Sequence, residues 1–175
     1  MKILFVGPGL LPIPPKGWGG IEHLVWDMKL ALTKLNHDVK IVNTTNPKEI
    51  IYEINNYRPD FVHVQYDDWV LLCPYIQYPC AISTHFAYIE QVKKMGDYKQ
   101  RVFDHYPRVK PNIFALSDGI IKTYSGEGIP DKNLFLLSPF YSSRLTRYSA
   151  VTPLEGFTNK QNCEGLPILA SCSCA

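Results

Sequence analysis

Along the first 140 residues, short apolar runs alternate with stretches in which apolar positions recur every three or four residues. The short runs fall at Ile3–Val6, Val39–Val42, Phe61–Gln65, Cys80–Thr84, Ile113–Leu116 and Leu134–Leu137. Each has strand length and is largely apolar, as in a strand covered on both faces. The first intervening stretch carries Ile21, Leu24, Val25, Met28, Leu32 and Leu35 at helical spacing, sustained for about four turns of ~3.6 residues. Strands alternating with helices in this way predict the α/β class, a parallel sheet of about six strands with helices on both faces.

Local signals sharpen the boundaries. Asn36 suits a left-handed end to the first helix, and Ser117 suits the cap of the helix after the fifth strand. The second helix has a full start signal: Asn46 can cap, Pro47 fits the first position, and Glu49 can reach back as in a capping box. Its inner face is Ile50, Ile51, Ile54 and Tyr57. After Phe140 the periodicity stops. Residues 1–140 therefore read as one domain and residues 141–175 as an irregular C-terminal tail, either an added helix and strand or a partly disordered segment.

Composition adds bounds more than identity. The 175 residues are 46% hydrophobic and 19% charged, which reads as a soluble globular chain with one core. A formal charge of +2, with Lys and Arg scattered, gives no footprint for nucleic acid and only a weak bias toward anionic substrates. The opening KILFVGPGLLPIP is broken by Gly7, Pro8, Gly9 and Pro12, so it reads as strand and loop, not as a signal peptide. No apolar run approaches the roughly 18 residues of a membrane span. Five cysteines, Cys73, Cys80, Cys163, Cys172 and Cys174, form no disulfide framework, and the tail's CSC lacks zinc-site spacing. Cys80, within a strand, reads as a small buried hydrophobe, and a reducing cytoplasm fits best.

Ligands of open α/β sheets bind beyond the carboxyl ends of the strands, so the chemistry is sought there. The first strand is followed by GPGLLPIPPKGWGGIE, which delivers Gly19 and Gly20 to a helix N-terminus. Free N–H groups, the positive end of the dipole and residues without Cβ meet at such a start, which suits a phosphate or sugar hydroxyl. A tight turn without a ligand is the alternative. Glu22 lies in the first helical turn, where its carboxylate favours the dipole and can also accept from a ligand hydroxyl. His85 follows the fourth strand and can contact a sugar hydroxyl or leaving phosphate, or else be satisfied by a backbone carbonyl. His63, inside a strand, reads as structural. Ser117 and Asp118 follow the fifth strand, while Asp67 and Asp68 read as solvated loop acids with no further ligands to make a metal site. No nucleophile elbow, Gly-Lys-Ser/Thr phosphate loop or dinucleotide fingerprint is present.

The ordered set MKILFVGPG, GWGGIEHLV, NHDVKIV, RPDFVHVQ, STH and ALSDGI resembles the N-terminal domain of GT-B fold glycosyltransferases of retaining family four, over about residues 1–140. The resemblance implies a Rossmann-like acceptor domain that faces a donor-binding domain across a cleft. It implies transfer of a hexosyl group from a nucleotide sugar to a glycan or lipid-linked acceptor, as in polysaccharide biosynthesis. No cofactor is implied, the nucleotide sugar being a co-substrate, and no catalytic metal. By position, Gly19 and Gly20 match the glycine loop at the donor phosphates, His85 the histidine at the transferred sugar, and Glu22 a position of less consistent use. Ser117 joins them as a binding candidate on the same rim. VTPLEGF and NCEGLPILAS in the tail are similar to the family's donor-site segment. Glu155 matches its first acid, but the second falls at Cys163, with Glu164 one place late. The donor domain's Arg and Lys have no counterpart, so the chain reads as truncated relative to the family. The expected partners are a separate donor-domain chain or a second copy, with no nucleic acid and at most peripheral membrane contact. A non-catalytic glycan- or acceptor-binding module and an inactive remnant are the competing expectations.

Overall fold

The computed structural model describes residues 1–85, 97 and 102–137. Its centre is a sheet of six parallel strands, β1 (Lys2–Val6), β2 (Asp38–Val42), β3 (Phe61–Val64), β4 (Cys80–Thr84), β5 (Ile113–Ala115) and β6 (Leu134–Leu136). They lie in the order β2-β1-β3-β4-β5-β6. All six expected strands are present, and the differences lie at their ends: Gln65, Leu116 and Leu137 fall just outside. Gln65 and Leu137 still donate backbone N–H groups to the neighbouring strand, at 2.9 Å to Val6 and 2.7 Å to Ala115, so the ladder outlasts the regular strand by a residue.

The helices among the described residues that bear on the site are α1 (Gly20–Lys34), α2 (Pro47–Tyr57), a short α3 (Tyr106–Val109) and α4 (Asp118–Gly126). A nine-residue 3₁₀ stretch, Asp67–Tyr75, links β3 to β4. α1 buries Val25, Met28 and Leu32 against Ile3, Phe5 and Val39 of the sheet. Leu35, expected on that stripe, is exposed, because the helix ends at Lys34 and Asn36 turns left-handed at φ 61°. α2, α3 and α4 pack on the opposite face, where Ile50, Ile54, Tyr106, Ile120 and Tyr124 meet Leu4, Val6, Val62, Val64 and Ile82. Helices therefore cover both faces, as the alternation predicts.

The two-sided arrangement follows from handedness. Parallel crossovers are almost always right-handed, so stepping from β1 to β2 in one direction and from β2 onward in the other puts the connections on opposite faces. The reversal falls between β1 and β3, which makes their carboxyl ends the topological switch point.

Caps behave largely as their chemistry dictates. Asn46 Oδ1 accepts the Lys48 N–H at 3.1 Å, and Ser117 Oγ accepts the Ile120 N–H at 3.3 Å. Glu49 departs from the capping box. Its Oε2 accepts from Thr44 Oγ1 at 2.8 Å, and that hydroxyl takes the Asn46 N–H at 3.2 Å. The threonine two residues before the cap thus stands between the two groups that would otherwise bond directly.

Candidate functional site

The loop leaving β1 is tied down from three sides. Asn43, just past β2, accepts the Gly9 N–H with Oδ1 and donates with Nδ2 to the Leu11 carbonyl, both at 2.8 Å. Trp69 Nε1 donates to the Gly7 carbonyl at 3.0 Å. His23 Nε2 donates to the Gly17 carbonyl at 2.9 Å, pinning the last part of the loop to the first turn of α1. The path from strand to helix is long, but its ends are anchored by side chains of three other segments.

Gly19 and Gly20 do different work. Gly19 caps α1 with φ 145°, and a Cβ there would stand 2.7 Å from Glu22 Oε2. A side chain there is strained by the backbone angle and would also push the Glu22 carboxylate aside. Gly20 has no described atom within 4 Å of the place a Cβ would occupy, so the space above the first helical residue is open among the described residues. Glu22 is buried with its carboxylate against Gly19. It meets the positive end of the helix, and a phosphate arriving there would share that end with a like charge.

His85 lies just past β4 and is half-buried. Its partner is a side chain, not a backbone carbonyl: Nε2 stands 2.8 Å from Gln65 Oε1. Gln65 is fully buried beside the switch point, and its own Nε2 has no hydrogen-bond partner among the described residues. Burial lowers the His85 pKa from 6.5 to about 4, so the ring is neutral at pH 7. One residue pair deeper on the same face, His63 Nε2 meets Ser83 Oγ at 2.7 Å. Its ring lies between Phe5 and Phe114, at centroid distances of 5.4 and 5.0 Å. Burial first, and His85 second, lower the His63 pKa to about 3. His63 is structural, as its place inside the strand predicts.

Asp67 overturns an expectation. It is buried, not solvated, and Tyr106 donates its hydroxyl to Oδ1 at 2.7 Å. The reason is the 3₁₀ stretch that starts at Asp67 and turns its side chain under α3. Burial raises its pKa from 3.8 to about 7, with Asp68 adding to the rise and the Tyr106 and Tyr124 hydroxyls opposing it. Tyr106 and Tyr124 are pushed up in turn, chiefly by burial. This acid lies among the helices on the face opposite α1.

The carboxyl edge of the sheet carries Gly19, Gly20 and Glu22 at the start of α1 and, beyond β3 and β4, Gln65 paired with His85. Ser117 sits exposed past β5, with its hydroxyl engaged in capping α4. Glu155 lies outside the described residues, as does the whole of 141–175. Sequence reasoning missed Gln65 and Tyr106. For Gln65 a signal existed, since His63 and Gln65 put two polar side chains on one face of an otherwise apolar run. Tyr106 gave none, because its partner is 39 residues away. Cys73 and Cys80 are buried free thiols, and Cys80 fills its predicted place in β4. Among the described residues, no group of three or more His, Cys, Asp or Glu is arranged to hold a metal ion. No described helix is long and apolar enough to cross a membrane. No protein-family model, curated protein or solved structure matches the chain.

Proposed function

We propose that the chain is the acceptor-side half of a retaining glycosyltransferase, which passes a hexosyl group from a nucleotide sugar to a glycan or lipid-linked acceptor. The observation that carries this reading is the Gln65–His85 pair. Two polar side chains joined at 2.8 Å interrupt an apolar sheet beside its switch point, where open α/β sheets take ligands. A donor-binding domain facing this rim, from further sequence, a separate chain or a second copy, completes the site. The buried free thiols of Cys73 and Cys80 support a reducing compartment such as the cytoplasm.

In this reading the bond from the anomeric carbon to the diphosphate oxygen breaks, a bond to an acceptor oxygen forms on the same face of the sugar, and the acceptor hydroxyl's proton passes to the departing diphosphate oxygen. His85 supplies a fixed neutral dipole to a sugar hydroxyl while positive charge develops at the anomeric carbon. A pKa near 4 leaves it unprotonated at pH 7, so it has no proton to give as a general acid. The open approach at Gly20 lets the leaving diphosphate reach the first N–H groups of α1.

The same neutrality of His85 favours a second reading, a binding module that holds a glycan without reacting. Incubation of the chain with UDP-, GDP- and ADP-sugars in the presence of a chelator, followed by mass spectrometry, separates the two. Transfer or hydrolysis that disappears in His85→Ala supports the enzyme. Glycan binding with neither consumption nor binding of any nucleotide sugar supports the module.

A further inference from the structure

The alternation along β3 sends Phe61, His63 and Gln65 to the α1 side of the sheet, where Phe5 lies beside His63. Gln65 follows the strand, and its backbone N–H reaches across the switch point to the Val6 carbonyl at 2.9 Å. Its side chain is fully buried. Oε1 faces His85 Nε2 at 2.8 Å, whereas Nε2 is left without a partner among the described residues. Burying an unpaired amide donor is unfavourable, and the bond to His85 accounts for Oε1 but not for Nε2. Packing alone therefore does not account for a glutamine here.

We propose that Gln65 both positions His85 and binds ligand: Oε1 holds the ring in its Nε2–H form, and the unpaired Nε2 donates to a sugar hydroxyl. With Nε2–H committed to Gln65, the ring's Nδ1 is an acceptor only. The pair then offers one donor and one acceptor, both uncharged. Nδ1 lies on the far side of the ring from Gln65, so a sugar satisfies the two with separate hydroxyls, one accepting from Gln65 Nε2 and one donating to Nδ1. An ionised phosphate has no proton to give Nδ1. This assignment, which rests on the sugar-transfer reading of the rim, puts the neutral sugar at Gln65 and leaves any diphosphate to the start of α1.

The test uses the full ¹⁵N-labelled chain at pH 7. Long-range ¹H–¹⁵N spectra report the His85 tautomer, and the side-chain NH₂ signals of Gln65 are followed during titration. The probes are the methyl α-pyranosides of glucose, mannose and galactose and, separately, UDP and GDP. Expected results are an Nε2–H His85 and Gln65 signals that move with at least one pyranoside and with neither nucleotide. Gln65→Leu should mix the tautomers and weaken that pyranoside about tenfold, the loss of one hydrogen bond. Gln65→Glu keeps an acceptor for His85 but loses the donor, so it should keep the tautomer and still lose affinity. An Nδ1–H ring in the unsubstituted chain, or Gln65 signals that move only with nucleotides or with no probe, would overturn the assignment. Because the titration is done on the unsubstituted chain, it decides even if a variant fails to fold. Pyranoside binding at Gln65 by a chain that neither consumes nor binds a nucleotide sugar would sustain this inference and sink the transferase reading. His85-dependent transfer with unmoved Gln65 signals would do the reverse.

Discussion

Replacing Asp67 with asparagine should stabilise the protein at pH 8, and by clearly less at pH 5. The acid is buried, accepts from Tyr106 at 2.7 Å, and has a pKa raised from 3.8 to about 7. Between those two values the folded chain keeps its proton while the unfolded chain loses it, so stability falls as pH rises from about 4 to about 7. Below that window both states are protonated, and above it both are ionised. A difference of about three pH units at ~1.4 kcal/mol each makes the ionised acid cost about 4 kcal/mol at pH 8. The asparagine side chain would mimic the protonated acid in shape and still accept from Tyr106, and it cannot ionise. His63 and His85 act in the opposite direction, because their lowered pKa values destabilise the fold as pH drops below about 6.5. Those two titrations are common to parent and variant, so the difference between the two chains isolates Asp67. Urea unfolding followed by circular dichroism at pH 5 and pH 8 gives that difference. An Asp67→Asn variant destabilised equally at both pH values would show that Asp67 is ionised and paired, and would refute the reasoning.

The adjacent glycines should separate cleanly under alanine substitution. Gly19→Ala forces a Cβ onto φ 145° and against Glu22, and should cost about 1–3 kcal/mol in urea unfolding. Gly20→Ala enters open space at a helical position and should be neutral or stabilising by up to about 1 kcal/mol, while weakening any ligand that approaches there. Ser83→Ala strands His63 Nε2 in the core and should lower stability by about 1–3 kcal/mol at pH 7; no loss would mean that the ring is satisfied otherwise. Asn46→Ala removes the α2 cap and should cost about 1 kcal/mol, with Asn46→Ser largely neutral in thermal unfolding.

The sheet was legible because each of its strands is a short apolar run, and in β1 and β4 that run is buried almost end to end. Periodicity reports burial, and burial decides whether a segment becomes β1 or β4. Caps such as Asn46 and Ser117 were legible because their chemistry acts over two or three residues. What the sequence did not disclose depends on distance along the chain. Asp67 looks like any loop acid until α3 brings Tyr106 onto it, and the worth of Gln65 depends on His85, 20 residues on. The contrast between Gly19 and Gly20 is likewise invisible in the dipeptide, since it comes from φ and from where Glu22 folds back.

The central claim is that the ends of β1, β3 and β4 form a sugar-handling rim. Backbone amide shifts of the ¹⁵N-labelled chain during titration with a nucleotide sugar test it most directly. The account predicts that the perturbed amides are Gly19, Gly20, Gln65 and His85, with those at the opposite end of the strands, such as Lys2, Asp60 and Arg58, unmoved. Shifts centred on that opposite end, or none at saturating ligand, would contradict it.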